Sequence, residues 1–236
     1  MKIKIAHLYY DLMNLYGEQG NIIALKESLT NQNVEADIDL LSIGDEINFK
    51  DYDIIYIGTG SKGNLLLALE DIKKYAKDIK AALKKGKIFI STGNSHELVG
   101  KSLTYNNTEY DGLNIFPYYS KESSERITGE CIMKCDELED NIIGFQNRAS
   151  VIQIDDNHLF KVINGSANNK KSEYEGFKEN NFYGTYLIGP LLIRNPHLTD
   201  YIIKKLLEEK GMKFHEDKTT PLYKAYTEYK KNFYTK

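Results

Sequence analysis

The sequence predicts an α/β fold: an open, mostly parallel sheet with helices on both faces. Three observations carry this. Strand-like and helix-like segments alternate through the first hundred residues. Two of the strand segments, residues 52–57 and 87–91, are nearly continuous apolar runs, as expected of strands buried on both faces. Each of them ends in a turn of small polar residues that leads into a helical pattern.

Taken in order, residues 3–10 read as a first strand, with Ile3, Ile5 and Leu8 apolar. A polar turn covers residues 11–20, and Asn21 is placed to cap a helix whose face is Ile22, Ile23, Leu25 and Leu29. Residues 34–43 alternate Ala36, Ile38 and Leu40 with Glu35, Asp37 and Asp39, the pattern of a half-exposed strand near a sheet edge. After the 52–57 strand comes a glycine-rich turn at residues 58–64. A helical stretch over 65–85 then points Leu66, Leu69, Ile72, Ala76, Ile79 and Leu83 inward, with one break, and stops at Gly86. The 87–91 strand is followed by a tight turn at 92–95 and a short helix at 96–99.

The second half changes style. Asn106-Asn107 marks a hairpin. Strand-like segments follow at 113–116, 125–134, 141–146, 151–154, 159–163 and 186–187, with a polar loop over 164–181. Residues 199–209 form a helix with Ile202, Ile203, Leu206 and Leu207 inward and Gly211 as its stop. This divides the chain into a body, 1–213, and an extension, 214–236. In the extension Thr220 and Pro221 open a helix whose stripe is Leu222, Tyr226, Tyr229 and Phe233. Docking of that helix on its own body is favoured over a partner-binding role.

Composition narrows the function. The 236 residues carry 31 Lys+Arg against 34 Asp+Glu, a net charge of −3, which offers no general basic field for nucleic acid. No apolar run reaches membrane-spanning length, and the amino terminus lacks a signal-peptide core. The two cysteines, Cys131 and Cys135, suit a reducing cytoplasm and cannot form a four-cysteine zinc site. The five histidines show no metal-ligand spacing, so no metal or other cofactor is expected.

Two turns draw attention as chemistry. Gly58, Gly60 and Gly63 follow a buried strand and precede a helix, where backbone N–H groups can cradle an oxyanion or a substrate. The spacing is neither a Walker loop nor a dinucleotide fingerprint in its proper context. The corner Ser91-Thr92-Gly93-Asn94-Ser95 has the shape of a nucleophile elbow, with hydroxyls at Thr92 and Ser95 but no cysteine. His96, or a carboxylate such as Asp11, is the available base for such a hydroxyl.

Several segments, in order, resemble the CobB/CobQ-type class I glutamine amidotransferases, and most of all their GatD-type branch, the glutaminase subunits of lipid II isoglutaminyl synthase. They are Asp11-Leu-Met-Asn14-Leu-Tyr16-Gly-Glu-Gln-Gly20-Asn21; the Ile57-Gly-Thr-Gly60 turn; Glu97-Leu-Val-Gly100; Glu109-Tyr-Asp-Gly112; Arg126 with Gly129; Gly144-Phe-Gln-Asn147; and Tyr183-Gly-Thr-Tyr-Leu-Ile-Gly-Pro190. The resemblance spans roughly residues 3–213. It implies a flavodoxin-like domain with added antiparallel strands, and a Mur-ligase-like synthetase as partner in cell-wall precursor amidation.

The family's nucleophilic cysteine lies in a Cys-Gly-Gly-Tyr-Gln-like motif. Counted back from Gly100, it falls on Gly93, or on Thr92 with a shift of one. The family's base histidine falls on Ile188. Arg126 matches an arginine that positions substrate, while Arg148 departs from the family's Asn-His-Gly-like pattern. The resemblance therefore implies a subunit that has lost glutaminase activity and scaffolds or regulates its synthetase, with a glutamine-like molecule held near Arg126, Gly58 and Gly60. The alternative is an active amidotransferase or amidohydrolase using Thr92 or Ser95.

Overall fold

A computed structural model describes the chain through residue 234, with side chains through residue 231. In chain order the elements are β1 (Lys2–Leu8), α1 (Gln19–Asn31), β2 (Glu35–Leu41), β3 (Ile54–Ile57), α2 (Lys62–Ile72), α3 (Ala76–Lys84) and β4 (Ile88–Thr92). A 3-10 turn at Gly93–Val99 leads to β5 (Ser102–Tyr105), β6 (Thr108–Asp111), β7 (Tyr119–Lys134), β8 (Ile142–Gln153), β9 (Phe160–Asn164), β10 (Tyr174–Glu175), β11 (Phe177–Glu179) and β12 (Phe182–Thr185). The chain closes with α4 (Leu191–Arg194), α5 (Pro196–Glu209) and α6 (Pro221–Tyr234).

The central sheet has the order β11-β12-β4-β3-β1-β2. Its last five strands are parallel, and β11 joins antiparallel at one edge. Numbered by appearance, those five run 2-1-3-4-5, the flavodoxin-like arrangement that places ligands outside the carboxyl ends of the strands. Strand periodicity sends neighbours to opposite faces. Ile55, Ile57 and Phe89 thus pack in one core with Leu65, Leu69, Ile72 and Ile79 of α2 and α3. Ile54, Tyr56, Ile88 and Ile90 pack in the other with Leu25 and Leu29 of α1 and Ile202, Ile203 and Leu206 of α5.

A second sheet has the order β10-β9-β7-β5-β6, with β8 also paired to β7, and residues of β7 and β8 line one cleft with the turns that follow β3 and β4. Its spine is the long antiparallel β7–β8 pair, whose register slips between Glu122 and Ile127. That irregularity displaces Ser123 to Arg126 from the ladder. Beside β8, Asn195 acts as a one-residue strand: its side-chain amide accepts from Ile143 N–H and donates to Ile143 C=O, both at 2.8 Å.

Several expectations need correcting. α1 begins before Asn21, which is buried and uses its side chain elsewhere: Nδ2 donates to the Tyr56 hydroxyl at 2.7 Å, and Oδ1 accepts from Leu192 N–H at 2.8 Å. The 113–116 segment is not a strand; its N–H groups bond to the carbonyls of Leu98, Val99 and Gly100. Segments 141–146 and 151–154 are one strand, β8, and the 164–181 loop contains both β10 and β11. The strand expected at 186–187 lies just before it, as β12. The helical break expected within 65–85 is present, at Lys73–Tyr75.

Within the extension, α6 (Pro221–Tyr234) docks on the body. Tyr223 and Tyr226 are buried, and their hydroxyls donate to Asp200 (2.9 Å) and to Asn141 C=O (2.7 Å). Tyr229 donates to Glu130 at 2.8 Å. The seam therefore includes Tyr223, which the stripe had missed; the side chain of Phe233 lies outside the described residues. No helix among the described residues is long and apolar enough to cross a membrane.

Candidate functional site

β4 runs out at Thr92, and the chain turns sharply at Gly93, whose φ of +66° is a left-handed conformation that favours glycine. Glycine is required there for a second reason. A Cβ at Gly93 would lie 2.2 Å from Thr59 Cβ, 2.3 Å from Thr59 Oγ1 and 3.1 Å from Ile188 Cγ2. Gly93 and Ile188 thus face each other across the corner, and Thr59 fills the space a side chain would take.

The two turns interlock through Asn94. The Thr59 hydroxyl donates to Asn94 Oδ1 at 2.9 Å and accepts from Asn94 N–H at 3.2 Å. Gly60 N–H donates to the same Oδ1 at 3.1 Å, and Asn94 Nδ2 donates to Gly60 C=O at 2.9 Å. Both N–H groups that could have received an oxyanion, those of Gly60 and Asn94, are therefore satisfied from within.

Above this floor lies a cleft of about 330 Å³ whose lining includes Tyr16, Gly60, Lys62, Gly93, Arg126 and Tyr186. Arg126 Nε donates to Asn147 Oδ1 at 2.7 Å, and Lys62 reaches Glu122 at 3.2 Å while lying 4.6 Å from the centre of the Tyr105 ring. Of the residues singled out from the sequence, the cleft gathers Gly60, Gly93 and Arg126. Gly58 is not in its lining; that glycine packs against Met13 C=O, Glu18 and the Tyr56 hydroxyl.

The candidate hydroxyls and bases do not meet. Thr92 is fully buried, and its hydroxyl donates to Glu18 and bonds to the Tyr56 hydroxyl. Ser95 is buried against Ser91, Ile57 C=O and Thr92 C=O. His96 keeps Nδ1 on Gly93 C=O at 2.7 Å, and burial lowers its pKa to about 3, so it stays neutral. Asp11 is exposed and accepts from Ser42. Cys131 and Cys135 lie on and just beyond β7, and burial pushes their thiols up to about 11 and 12.

Residues that sequence reasoning passed over organise the site. Glu18, buried, accepts from Gly189 N–H at 3.1 Å and from Tyr56 at 2.9 Å besides Thr92, and burial raises its pKa. Glu97, also buried, accepts from the hydroxyls of Tyr105 (2.9 Å), Ser120 (2.7 Å), Tyr186 (3.2 Å) and Ser150. Arg148 lies over the Tyr186 ring at 4.1 Å and donates to the carbonyls of Ser150 and Ala167. Glu18, Thr59, Asn94 and Glu97 fall within segments singled out in the sequence, but nothing local assigns them these roles, because each acts through a partner distant in the chain.

Glu175 supports the same wall from behind, accepting from Thr185 Oγ1 and from Tyr186 N–H, each at 2.7 Å. Burial raises its pKa to about 7 from an ordinary 4.5. Between these values the folded protein holds a proton that the unfolded chain releases. This contribution is present in full below pH 4.5 and is lost as pH rises to about 7, a decline of about 3 kcal/mol in total. Urea unfolding of Glu175→Gln and the parent chain at pH 5 and pH 8 should show the variant gaining on the parent by most of that amount; an unchanged difference would refute the assignment.

Comparison with known proteins agrees with this architecture. Residues 4–196 match the CobB/CobQ-like glutamine amidotransferase domain. The chain is 32% identical over 214 residues to the lipid II isoglutaminyl synthase (glutamine-hydrolyzing) subunit GatD of Staphylococcus aureus (strain N315), covering 90% of this chain and 88% of that one. It is 25% identical over 226 residues to the subunit of the same name from Streptococcus pneumoniae (strain ATCC BAA-255 / R6), covering 94% and 86%. Among solved structures, a glutamine amidotransferase superposes with a TM-score of 0.55 at 14% identity, covering 86% of this chain and 97% of that one. PurLQS from Thermotoga maritima superposes with 0.54 at 16% identity, covering 79% and 87%. At these identities the two structures speak for the fold alone.

Proposed function

Since the chain belongs to the CobB/CobQ-like glutamine amidotransferase family, we propose that it is a GatD-like subunit that does not hydrolyse glutamine and that scaffolds or regulates a Mur-ligase-like synthetase in cell-wall precursor amidation. The observation that carries the loss of hydrolysis is the filled corner at Gly93. Cysteine amidotransfer needs a thiolate, a base to generate it and donors for the tetrahedral oxyanion. Gly93, where the resemblance puts the family's nucleophile (or Thr92, with a shift of one), has no side chain, and Thr59 occupies the space for one. Ile188, at the base position, cannot accept a proton. Gly60 N–H and Asn94 N–H are already bonded to Asn94 Oδ1 and Thr59 Oγ1.

The surroundings support a retained binding role. The glycine corner, the cleft and Arg126 at its wall persist around the lost pair, so the outer cleft suits a small amino-acid-like ligand that is held and not consumed. Gly60 would serve it only if Asn94 moved. The geometry does not favour Thr92 or Ser95 as a substitute nucleophile, since both hydroxyls are buried away from the cleft lining.

Two measurements test the reading. The purified chain is expected to release no ammonia from glutamine above buffer; release that disappears in Thr92→Ala or Ser95→Ala would overturn it. A tagged full-length chain is expected to retain an ATP-dependent ligase from its own cells, and recovery of none would sink the scaffold role.

A further inference from the structure

We infer that the lysine face of α3 rests on an anionic phospholipid bilayer, held against the headgroups without entering the hydrocarbon. The cleft plays no part in this contact. Residues 73–87 hold seven lysines and one aspartate, a local charge of +6 in a chain whose total is −3. The rest of the molecule therefore carries −9, and the charge is strongly one-sided. The fold then gathers the cations on one face. The residues α3 buries are Ile79, Ala82 and Leu83. At about 100° per residue, Lys77, Lys80 and Lys84 fall within about 60° of one another on the opposite face, with Ala81 among them. All four are exposed, as are Lys73 in the turn before the helix and Lys85 at its end. Lys74 and Lys87 are committed to Asp71 (2.8 Å) and Asp53 (3.5 Å), and Lys73 lies 3.8 Å from Glu70. Among the described residues, no carboxylate comes within 4.0 Å of Lys77, Lys80, Lys84 or Lys85.

Such a row works against its own helix. Like charges three and four residues apart repel, and Lys77 with Lys80, and Lys80 with Lys84, are pairs of that kind. The neighbouring helix α5 shows the usual arrangement for a solvated face, where Lys204 meets Glu208 one turn on at 4.0 Å. An external anion offsets the repulsion on α3, and its chemistry favours a bilayer. The row is straight and about 10 Å long from Lys77 to Lys84, which suits a plane of charge. Every cation in it is lysine, a hydrated point charge that needs only a diffuse layer of phosphate. The forked guanidinium that grips single phosphates is missing, since the three arginines lie at positions 126, 148 and 194. No aromatic side chain lies on α3 to stack on a base, and lysine is depleted from the cores of protein interfaces. Ala81 is the one apolar residue on the outward face, so the contact stays at headgroup depth.

Flotation of the full-length chain with vesicles tests this. In about 0.1 M salt, where charges act over about 10 Å, the chain is expected to float with vesicles of equal parts phosphatidylglycerol and phosphatidylcholine. With phosphatidylcholine alone it should stay behind. Each lysine beside an anionic surface contributes about fivefold to partitioning. Lys73→Gln, Lys77→Gln, Lys80→Gln and Lys84→Gln together should therefore lower it at least about 100-fold. Glutamine is as good a helix former as lysine, so α3 keeps its form. Glutamine in place of the exposed Lys26, Lys121, Lys134 and Lys161 removes the same charge elsewhere and should cost no more than about threefold. Arginine at the first four positions keeps the charge and should keep the binding. Failure of the parent chain to float with the anionic vesicles would overturn the inference, as would equal losses in the two glutamine variants or loss with arginine. A DNA duplex that strips the parent chain from the vesicles at equal phosphate would overturn it in favour of nucleic acid.

Discussion

Gly93→Cys combined with Ile188→His should release almost no ammonia from glutamine until Thr59→Gly and Asn94→Gly are added. The reason is steric before it is chemical. A Cβ at residue 93 lies 2.2 Å from Thr59 Cβ, so trimming Thr59 to alanine leaves the collision in place and only glycine removes it. The backbone there already holds φ +66°, which costs an L-residue about 1–2 kcal/mol, a strain that nucleophile elbows carry by design. Asn94→Gly then frees Gly60 N–H for an oxyanion, as Thr59→Gly frees the N–H of residue 94. Ile188, within 3.1 Å of the same point, puts a histidine on the correct side, beside the Gly189 N–H that Glu18 holds. Each recovered oxyanion donor is worth about 10²–10³ in rate, so the fourfold variant should exceed the double variant by at least about 10²-fold in glutamate release. Equal rates for the two would show that Thr59 and Asn94 do not block the corner.

Removing the Glu97 side chain should be among the most damaging single changes in the molecule. Glu97→Ala leaves four hydroxyls, those of Tyr105, Ser120, Ser150 and Tyr186, without their common acceptor. All five residues are buried at about a twentieth exposure or less, so water cannot easily take the carboxylate's place. Stranded polar groups and the lost anion together should cost about 3–5 kcal/mol. Glu97→Gln keeps the shape and one carbonyl acceptor and should cost about 1–2 kcal/mol. Urea unfolding of the two variants measures this directly, and an alanine variant within about 1 kcal/mol of the parent would show that the hydroxyls find other partners.

The legibility of the fold came from burial patterns that are local. The apolar runs at 52–57 and 87–91 can belong only to strands covered on both faces, and the helix spacing at 65–85 points its leucines and isoleucines at one of them. Register in the second half was harder to read. The sequence pattern divides β8 in two because Asn147, Arg148 and Ser150 interrupt its apolar run, and those residues are polar because they meet Arg126, Ala167 and Glu97 across the fold. Tyr223 was missed on the extension because its hydroxyl, bonded to Asp200, is what seats it.

The sequence by itself determined the sheet class, the glycine corners, and the absence of a cysteine from residues 91–95 and of a histidine from position 188. Those are properties of residue identity and spacing, which need no neighbours to be true. Only the tertiary structure decided what happened to the vacated space. Thr59 and Asn94 come from two loops 35 positions apart, and each looks like an ordinary turn residue until the carboxyl ends of β3 and β4 are brought side by side. Parallel pairing of those strands sets the loops against each other, and in that contact a threonine side chain fills the corner, and the threonine and an asparagine each accept from one of the amides that an oxyanion would have used.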